Sequence, residues 1–258
     1  HSINVSGGNE TTKFSVTGGV FDQKGIIKNS DYKRYSLNTN IHHDISSKFS
    51  VDATISLSKN NSARQLSEQG RFGTSLIGRA YGIPNYLKVY EEDGSYLEPV
   101  LHDPRVSEAL WNPLNFIHET SNILAENNVL ANAAVSYEIT DGLVLKISGG
   151  IESINSRIDS YQTKNFQNIP DGVATVSVSE FTSLLNENTL SYNKTLADKH
   201  NISAVVGVTY QDFLNTSLSG GGRNFLSDIT ETHNLATSAI PSIPGSGYTQ
   251  SVLLSGLG

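Results

Sequence analysis

The residues of this chain that could carry chemistry include a histidine pair at the start of a polar stretch. His42 and His43 stand directly before Asp44, and these residue types bind metal ions when their side chains converge. Neighbouring residues of a strand point to opposite faces, so these two histidines cannot hold one ion from one face. We therefore predict that this pair is not a metal site.

Two further segments resemble ligand-binding loops but lack the context that such loops need. Residues 220–223 read GGGR, without the strand–loop–helix pattern of a phosphate-binding loop. Residues 91–95 read EEDGS, without the spaced oxygen ligands of a calcium loop. We interpret the first segment as a flexible loop and the second as a solvated acidic turn.

The composition excludes several classes of protein. The chain has no cysteine, which excludes disulfides and thiolate metal sites. No nucleophile-elbow motif surrounds any serine, and no carboxylate pair can be assigned to a cleft. We predict that the chain is not an enzyme and that it uses no metal or cofactor. A net charge of −7 with scattered Lys and Arg disfavours nucleic acid as a partner.

The elements that position these residues are strands, because apolar and polar residues alternate with period two. In residues 49–58, Phe49, Val51, Ala53, Ile55 and Leu57 alternate with polar side chains. Similar stripes recur along the chain and predict nine strands of about 8 to 12 residues. No segment approaches the ~18 consecutive apolar residues of a membrane helix.

Connections between these strands alternate strictly between short and long. Short turns are predicted near residues 9–11, 44–48, 139–142 and 195–200. Long segments follow at residues 21–31, 60–127, 156–182 and 212–246. Short turns at one rim and long loops at the other are typical of an outer-membrane barrel. In this arrangement, the inward-facing residues line the lumen or meet a plug inside it, and the alternative is that they are only solvated wall. These residues are Arg34, Asn38, Asn40, Asp52 and Lys146.

Aromatic residues near predicted strand ends fit the same arrangement. Such residues form girdles where a barrel meets the membrane interfaces. The pattern alone leaves a second fold open, because a soluble β-sandwich also alternates apolar and polar residues. That fold would belong to a β-rich cell-surface protein that binds ligands or mediates adhesion without transport. The aromatic residues at predicted strand ends are Phe21, Tyr32, Phe49, Tyr137, Tyr192 and Tyr210.

Several segments resemble the SusC/RagA family of TonB-linked outer-membrane transporters. The most specific resemblance lies in residues 21–36, FDQKGIIKNSDYKRYS, together with residues 5–14, VSGGNETTKF. Residues 186–195, NENTLSYNKT, continue it through KHNI at 199–202 and GVTYQ at 207–211. The resemblance extends over about residues 1 to 211, and the last strand also fits it.

This resemblance implies an all-β fold, an antiparallel transmembrane β-barrel of the 22-stranded type. We expect residues 1–258 to supply about nine of its strands, as part of one barrel domain. The implied function is TonB-dependent import of oligosaccharides, peptides or similar large ligands. The implied partners are a SusD-like surface lipoprotein, outer-membrane lipid and the TonB complex. We expect the plug and the TonB-contacting segment to lie outside this chain.

The long segment 60–127 is predicted to be an extracellular loop insertion rich in aromatic residues. Tyr81, Tyr86, Tyr90 and Trp111 are candidates for contact with ligand or with the lid lipoprotein, because sugars stack well on such rings. The alternative is that these rings pack the loop onto itself or onto the barrel wall. Short helices are predicted over residues 64–80 and 104–111, the second beginning at Pro104.

Overall fold

A computed structural model describes residues 1–65, 76–108, 110–167, 171–196 and 200–258, with residue 196 described by its backbone alone. In these residues the chain forms one antiparallel sheet of ten strands. The strands are β1 (Ser2–Gly8), β2 (Thr12–Lys24), β3 (Asp31–Ser46), β4 (Phe49–Ala63), β5 (Thr120–Thr140), β6 (Leu143–Gln162), β7 (Val173–Leu196), β8 (His200–Phe225), β9 (Ser238–Pro241) and β10 (Gly245–Leu257).

The strand order is that of a meander. Strands β1 to β8 lie side by side in chain order, and β10 continues the sheet beyond β8. These nine strands confirm the predicted number. Strand β9 was not predicted, because its four residues are too few to show alternation. It pairs with the end of β8, where Gly222 lies opposite Pro241.

The short turns fall where the sequence places them. At residues 9–11, the Asn9 side chain accepts hydrogen bonds from the backbone N–H groups of Thr11 (3.0 Å) and Thr12 (2.7 Å). Strands β5 and β6 are joined by Asp141 and Gly142 alone. Gly142 has a φ of +80°, and a Cβ there would lie 2.3 Å from the Asn193 carbonyl oxygen. This turn therefore requires glycine. Residues 197–199 of the predicted turn 195–200 lie outside the described residues.

Strands β2 to β8 and β10 are longer than the predicted 8 to 12 residues, and the longest are β7 with 24 residues and β8 with 26. The ladder continues past the point where alternation stops, because backbone pairing does not need apolar side chains. The long connections are therefore shorter than predicted, and they comprise residues 25–30, 64–119, 163–172 and 226–244. We define the long-loop rim as the side of the sheet where the strand ends are joined by these long connections. The short-turn rim is the side where the opposite strand ends are joined by the short turns.

The interpretation of residues 220–223 as a flexible loop is wrong. These residues belong to β8, and Gly221 lies opposite Thr175 of β7. A Cβ at Gly221 would lie 2.4 Å from the Ala174 carbonyl oxygen, so the close approach of these backbones requires glycine. Gly221 and Gly222 thus lie where neighbouring chain segments pack closely, and not in a loop.

Buried apolar side chains lie near the long-loop rim and not between two sheets. One cluster contains Tyr161, Ala174 and Phe225, with Leu235 packed against it. Two short 3-10 turns, Asp228–His233 and Leu235–Thr237, lie over the ends of the strands here. The Tyr161 hydroxyl donates a hydrogen bond of 2.6 Å to Asp228 Oδ1, which fixes this connection to β6.

Three short helices lie in the connection between β4 and β5. They are α1 (Leu76–Gly82), α2 (Pro99–His102) and α3 (Pro113–Glu119). The predicted helix at 64–80 corresponds in part to α1, and residues 66–75 lie outside the described residues. The helix predicted at 104–111 is wrong, because the described residues of this segment form turns. Pro99 and Pro113 occupy the helix starts instead. Within the described residues, no helix is long and apolar enough to cross a membrane.

Candidate functional site: the apolar belt and the loop 64–119

An apolar belt covers one face of the sheet over β4 to β8. On each of these strands, five consecutive positions of one face form the belt, over about nine residues of chain. This length matches the roughly 9–11 residues with which a tilted strand crosses a bilayer. The belt positions are 49–57 on β4, 129–137 on β5, 143–151 on β6, 184–192 on β7 and 202–210 on β8, counting every second residue.

The register shows that the belt crosses the strands obliquely. Leu57 and Val129 pair with each other and end the belt on the side of the long-loop rim. Val129 also pairs with Ser153, which lies two residues beyond the belt on β6. The same step of two residues recurs between β7 and β8, where Leu184 pairs with Asp212. The mean stagger is one residue per strand, or ~3.3 Å along the chain for each ~4.8 Å across the sheet. This corresponds to a strand tilt of about 35°, as in a closed barrel.

Aromatic residues lie at the ends of the belt, as predicted for four of the six. Phe49, Tyr137 and Tyr192 lie at the short-turn rim, and the rings of Phe49 and Tyr137 are 6.4 Å apart. Tyr210 ends the belt on the other side. The prediction is wrong for Phe21 and Tyr32, whose alternation places them on the polar face of β2 and β3, 6.0 Å from each other.

The opposite face is polar and is cross-linked by side-chain hydrogen bonds between strands. Ser56 donates to Asn38 Oδ1 (2.7 Å), and Thr54 donates to Asn40 Oδ1 (3.0 Å). His42 lies on this face with its Nδ1 2.7 Å from Asp52 Oδ1. His43 lies on the belt face, 2.8 Å from Thr12 Oγ1. The two histidines therefore diverge, as predicted, and Arg34 and Lys146 share the polar face.

An aromatic cluster holds together the loop of residues 64–119. Trp111 and Phe116 contact Phe166 of the next connection, at ring distances of 6.1 and 6.0 Å. Arg79 of α1 is 4% exposed and lies over both rings, 4.3 Å from Trp111 and 5.0 Å from Phe116. Burial lowers the pKa of the Arg79 guanidinium. Trp111 therefore packs within the loop, and its contact with ligand or lid lipoprotein stays a prediction.

Two buried asparagines fix the backbone around this cluster. Asn112 accepts a hydrogen bond from the Leu114 backbone N–H (3.0 Å) at the start of α3, and donates one to the Val89 carbonyl (2.6 Å). Asn115 donates to the Asn165 carbonyl (2.8 Å) and accepts from the Gln167 backbone N–H (3.0 Å). The loop is thus tied to residues 163–167, which precede β7.

The three tyrosine candidates lie on the surface of the loop. Tyr81, Tyr86 and Tyr90 are 88%, 61% and 43% exposed. Tyr86 and Tyr90 line an open groove of about 660 Å³ together with Leu87, Glu91, Glu92 and His102. Tyr81 does not line this groove, so the structure brings two of the four candidates together.

An ion pair between Asp103 and Arg105 holds Tyr86, one of the tyrosines that line the groove. Asp103 is buried and receives two hydrogen bonds of 2.9 Å from the Arg105 guanidinium, while the Tyr86 hydroxyl donates a third. The Arg105 hydrogen bonds hold the pKa of the Asp103 carboxyl well below its usual range. This arrangement fixes the orientation of the Tyr86 ring. Burial, reinforced by Glu119, raises the pKa of Tyr96 to about 12, so this neighbouring hydroxyl stays protonated.

Sequence reasoning missed most residues that shape this loop. Arg79, Asn112, Asn115 and Phe166 act through contacts between segments as far as 55 residues apart in the chain. No periodic pattern marks such contacts. The Asn112–Pro113 pair carried the one local signal, since a capping residue followed by proline is a helix start.

The geometry defines a segment of an outer-membrane β-barrel wall, with one face apolar and the other polar. A soluble sandwich would cover the apolar stripe with a second sheet, and the described strands form a single sheet. The soluble alternative is therefore not supported. Comparisons with known proteins agree with the barrel. No family model matches the chain.

The chain is similar to TonB-dependent receptors. It is 29% identical to the TonB-dependent receptor P3 of Formosa agariphila over 98% of the chain, and 28% identical to the receptor P39 of that organism over 90%. It spans about a quarter of the length of these relatives, 25% and 21%. The structure of the RagAB peptide transporter matches 99% of the chain with a TM-score of 0.82 and 22% identity, over 29% of that protein's chain.

These findings confirm the resemblance to the SusC/RagA family, and the chain is a relative of TonB-dependent receptors with the fold of part of their barrel. An outer-membrane barrel carries an outward-facing apolar band of this kind. The prediction that the chain is not an enzyme is also confirmed, because these relatives are receptors and transporters.

Proposed function

We propose that this chain supplies part of the barrel wall and outer loops of a TonB-dependent transporter that imports large nutrients. The observation that carries the proposal is the match of nearly the whole sheet to the RagAB transporter barrel, combined with receptor relatives that share its sequence. Residues 1–258 then form part of a single barrel domain. Its remaining strands would pair with the free edges of β1 and β10.

The orientation of the wall follows from its two rims. Outer-membrane barrels carry short turns on the periplasmic side and long loops outside. We therefore assign the short-turn rim to the periplasm and the loop 64–119 to the cell exterior, as an insertion between β4 and β5. The polar face, with Asn38, Asn40 and Asp52, then lines the lumen.

In this proposal the nutrient contacts Tyr81, Tyr86 and Tyr90, which are exposed on the loop. Exposed aromatic rings bind both sugars and peptide side chains. Oligosaccharides and peptides thus both fit this surface. A SusD-like lipoprotein would close the barrel from the loop side, and the TonB complex would act through residues outside this chain.

The test is uptake by cells that express the full-length protein. Fluorescent pools of peptides and of oligosaccharides should enter wild-type cells and not cells that lack the gene. Uptake should also stop when TonB is removed, because import depends on it. Unchanged uptake after loss of the gene or of TonB would contradict the proposal.

A second measurement tests the tyrosines. Replacement of Tyr81 and Tyr90 by alanine should weaken binding of the imported pool by about tenfold, because the loss of aromatic contacts costs ~1.4 kcal/mol. Tyr137→Ala, at the opposite rim, is the matched control and should leave binding unchanged. Heat-modifiable gel migration would verify that each variant forms a folded barrel.

A further inference from the structure

A cavity of about 150 Å³ lies where the loop of residues 64–119 meets the polar face of β5 to β7. This volume is several times the ~30 Å³ that a water molecule occupies in the liquid. Phe116 of α3 borders the cavity from the loop, and Ser160 and Thr175, which pair with each other, border it from the strands. The cavity shares no described residue with the groove of Tyr86 and Tyr90, so it is a separate site.

Arg64 supplies a positive charge to this cavity. Its side chain is half-buried, and its Nε donates a hydrogen bond of 2.8 Å to Asn122 Oδ1. Asn122 Nδ2 donates in turn to Ser160 Oγ at 2.6 Å, so the guanidinium is held against the wall. Among the residues that the structure describes, Arg64 forms no ion pair. The remaining N–H groups of its fork suit a carboxylate, which binds arginine through two parallel hydrogen bonds.

Two aliphatic side chains lie beside this charge, on a face that is mostly polar. Leu124 lies two residues from Asn122 on β5, and Ile158 lies two residues from Ser160 on β6. Leu124 and Ile158 pair with each other, so both lie on the cavity face, one strand repeat of ~6.6 Å closer to the short-turn rim. Both are half-buried, which leaves part of their surface free for a ligand. The site therefore offers a cation next to an aliphatic surface.

We propose that this site binds the C-terminal residue of an imported peptide, with its carboxylate on Arg64 and an apolar side chain on Leu124 and Ile158. The inference rests on the proposed function and deepens it, because it names peptides with an apolar C-terminal residue as the substrate class. Such a residue carries its carboxylate and its side chain on one carbon, which suits a cation beside an aliphatic pair. An acidic sugar carries hydroxyl groups around its carboxylate, and these would lose their hydrogen-bond partners against leucine and isoleucine.

The first test measures binding of two peptide pools to the full-length protein in detergent. Both pools have random sequences that end in leucine, one with a free C-terminal carboxylate and the other with an amide. The free acid should bind about 10- to 100-fold more tightly, because only the carboxylate forms charge-assisted hydrogen bonds with Arg64. Equal binding of the two pools, or binding of neither, would overturn the proposal. Uptake of other nutrients by cells would in either case leave the proposed transport function standing.

The second test assigns this preference to Arg64. Arg64→Gln removes the charge and should lower the affinity for the free acid to that of the amide, while the affinity for the amide stays the same. Arg34→Gln is the matched control, because Arg34 lies on the same face and does not line the cavity. An Arg64→Gln protein that still prefers the acid, or an Arg34→Gln protein that no longer does, would refute the assignment. A folding defect would instead weaken both pools together.

The third test addresses the aliphatic part of the site. Ile158→Ala should weaken binding of the leucine-ending acid pool about fivefold, and should change binding of a glycine-ending acid pool less than twofold. Equal effects on the two pools would refute the contact with the C-terminal side chain. A uronic-acid oligosaccharide that depends on Arg64, where neither peptide pool binds, would assign the cavity to an acidic sugar and overturn the peptide class.

Discussion

The belt of β4 to β8 and the loop of residues 64–119 differ in what determines where each side chain lies. In the belt, period-two alternation and strand register determine the face on which a side chain lies. Two adjacent residues of the same type therefore face opposite environments. In the loop, individual long-range contacts decide, such as those of Phe166 with Trp111 and Phe116. A belt side chain can thus be exchanged for another of like polarity, whereas a loop side chain depends on shape. The belt is therefore vulnerable to charge, and the loop to lost volume.

The largest effect is expected from removing the centre of the aromatic cluster. Phe166 is 2% exposed, and Phe166→Ala should destabilise the packed loop by about 3–5 kcal/mol, the usual cost of emptying such a site. The barrel itself should remain folded, because the cluster lies outside the belt. Hydrogen–deuterium exchange of residues 110–119 in the full-length protein would measure this opening.

Tyr81→Ala is the control for that measurement. It removes an aromatic ring of the same loop that is almost fully exposed, so it should change loop stability by no more than ~0.5 kcal/mol. Equal exchange rates in the two variants would show that shape does not hold the loop together.

The next largest effect is expected in the belt, where two adjacent valines lie on opposite faces of β8. Val206 lies in the centre of the β8 belt and Val205 on the polar face, and they are similarly exposed, 54% and 45%. Val206→Arg should destabilise the barrel by about 2–4 kcal/mol, because it places a charge against the bilayer midplane. Val205→Arg should cost much less, because the lumen is polar. Denaturant titration in lipid vesicles would measure the difference, and equal losses would refute the assignment of faces.

The contrast between Val205 and Val206 shows what the sequence could predict. Period-two alternation fixes the face of each belt residue, so nine strands, the short turns and the divergence of His42 and His43 follow from pattern alone. Beyond the belt the alternation of apolar and polar residues is lost, because both faces of the strands meet water there. The strand ends at residues 120–127, 156–162 and 212–225 were therefore assigned to loops. Their pairing is visible only once the neighbouring strand is known.

In the loop, the sequence could indicate candidate residues but not their roles. Tyr86 and Trp111 were equal candidates because both are aromatic. In the structure, Trp111 contacts the buried Arg79, whereas Tyr86 lies at the surface groove. Nothing in the local sequence separates these cases, since the deciding contact comes from Phe166, more than fifty residues away.

A smaller effect should follow from the capping residue of α3. Asn112→Ala removes the bond to the Leu114 N–H and should destabilise the loop by about 1–2 kcal/mol. Asn112→Ser keeps a capping oxygen and loses the amide donor to the Val89 and Leu97 carbonyls, so it should cost less. The same exchange measurement on residues 110–119 would rank the two variants. If Asn112→Ser proved as damaging as Asn112→Ala, the bonds to these two carbonyls would be the more important contacts.

The smallest effect should be a pH dependence that the loop has and the belt lacks. The Arg105 hydrogen bonds lower the pKa of Asp103 in the folded loop, so this carboxylate stabilises the loop above the ordinary Asp pKa of about 3.9. That contribution is lost as the pH falls through the lowered folded pKa. Arg105→Gln should raise the pKa of Asp103 toward its ordinary value, so the variant should lose less loop stability between pH 7 and pH 3 than the wild type loses. Exchange of residues 100–108 at pH 7 and pH 3 would show this difference. Belt residues 202–210 should exchange identically in both proteins, and a shift there as well would mean that the loop and the wall are not independent.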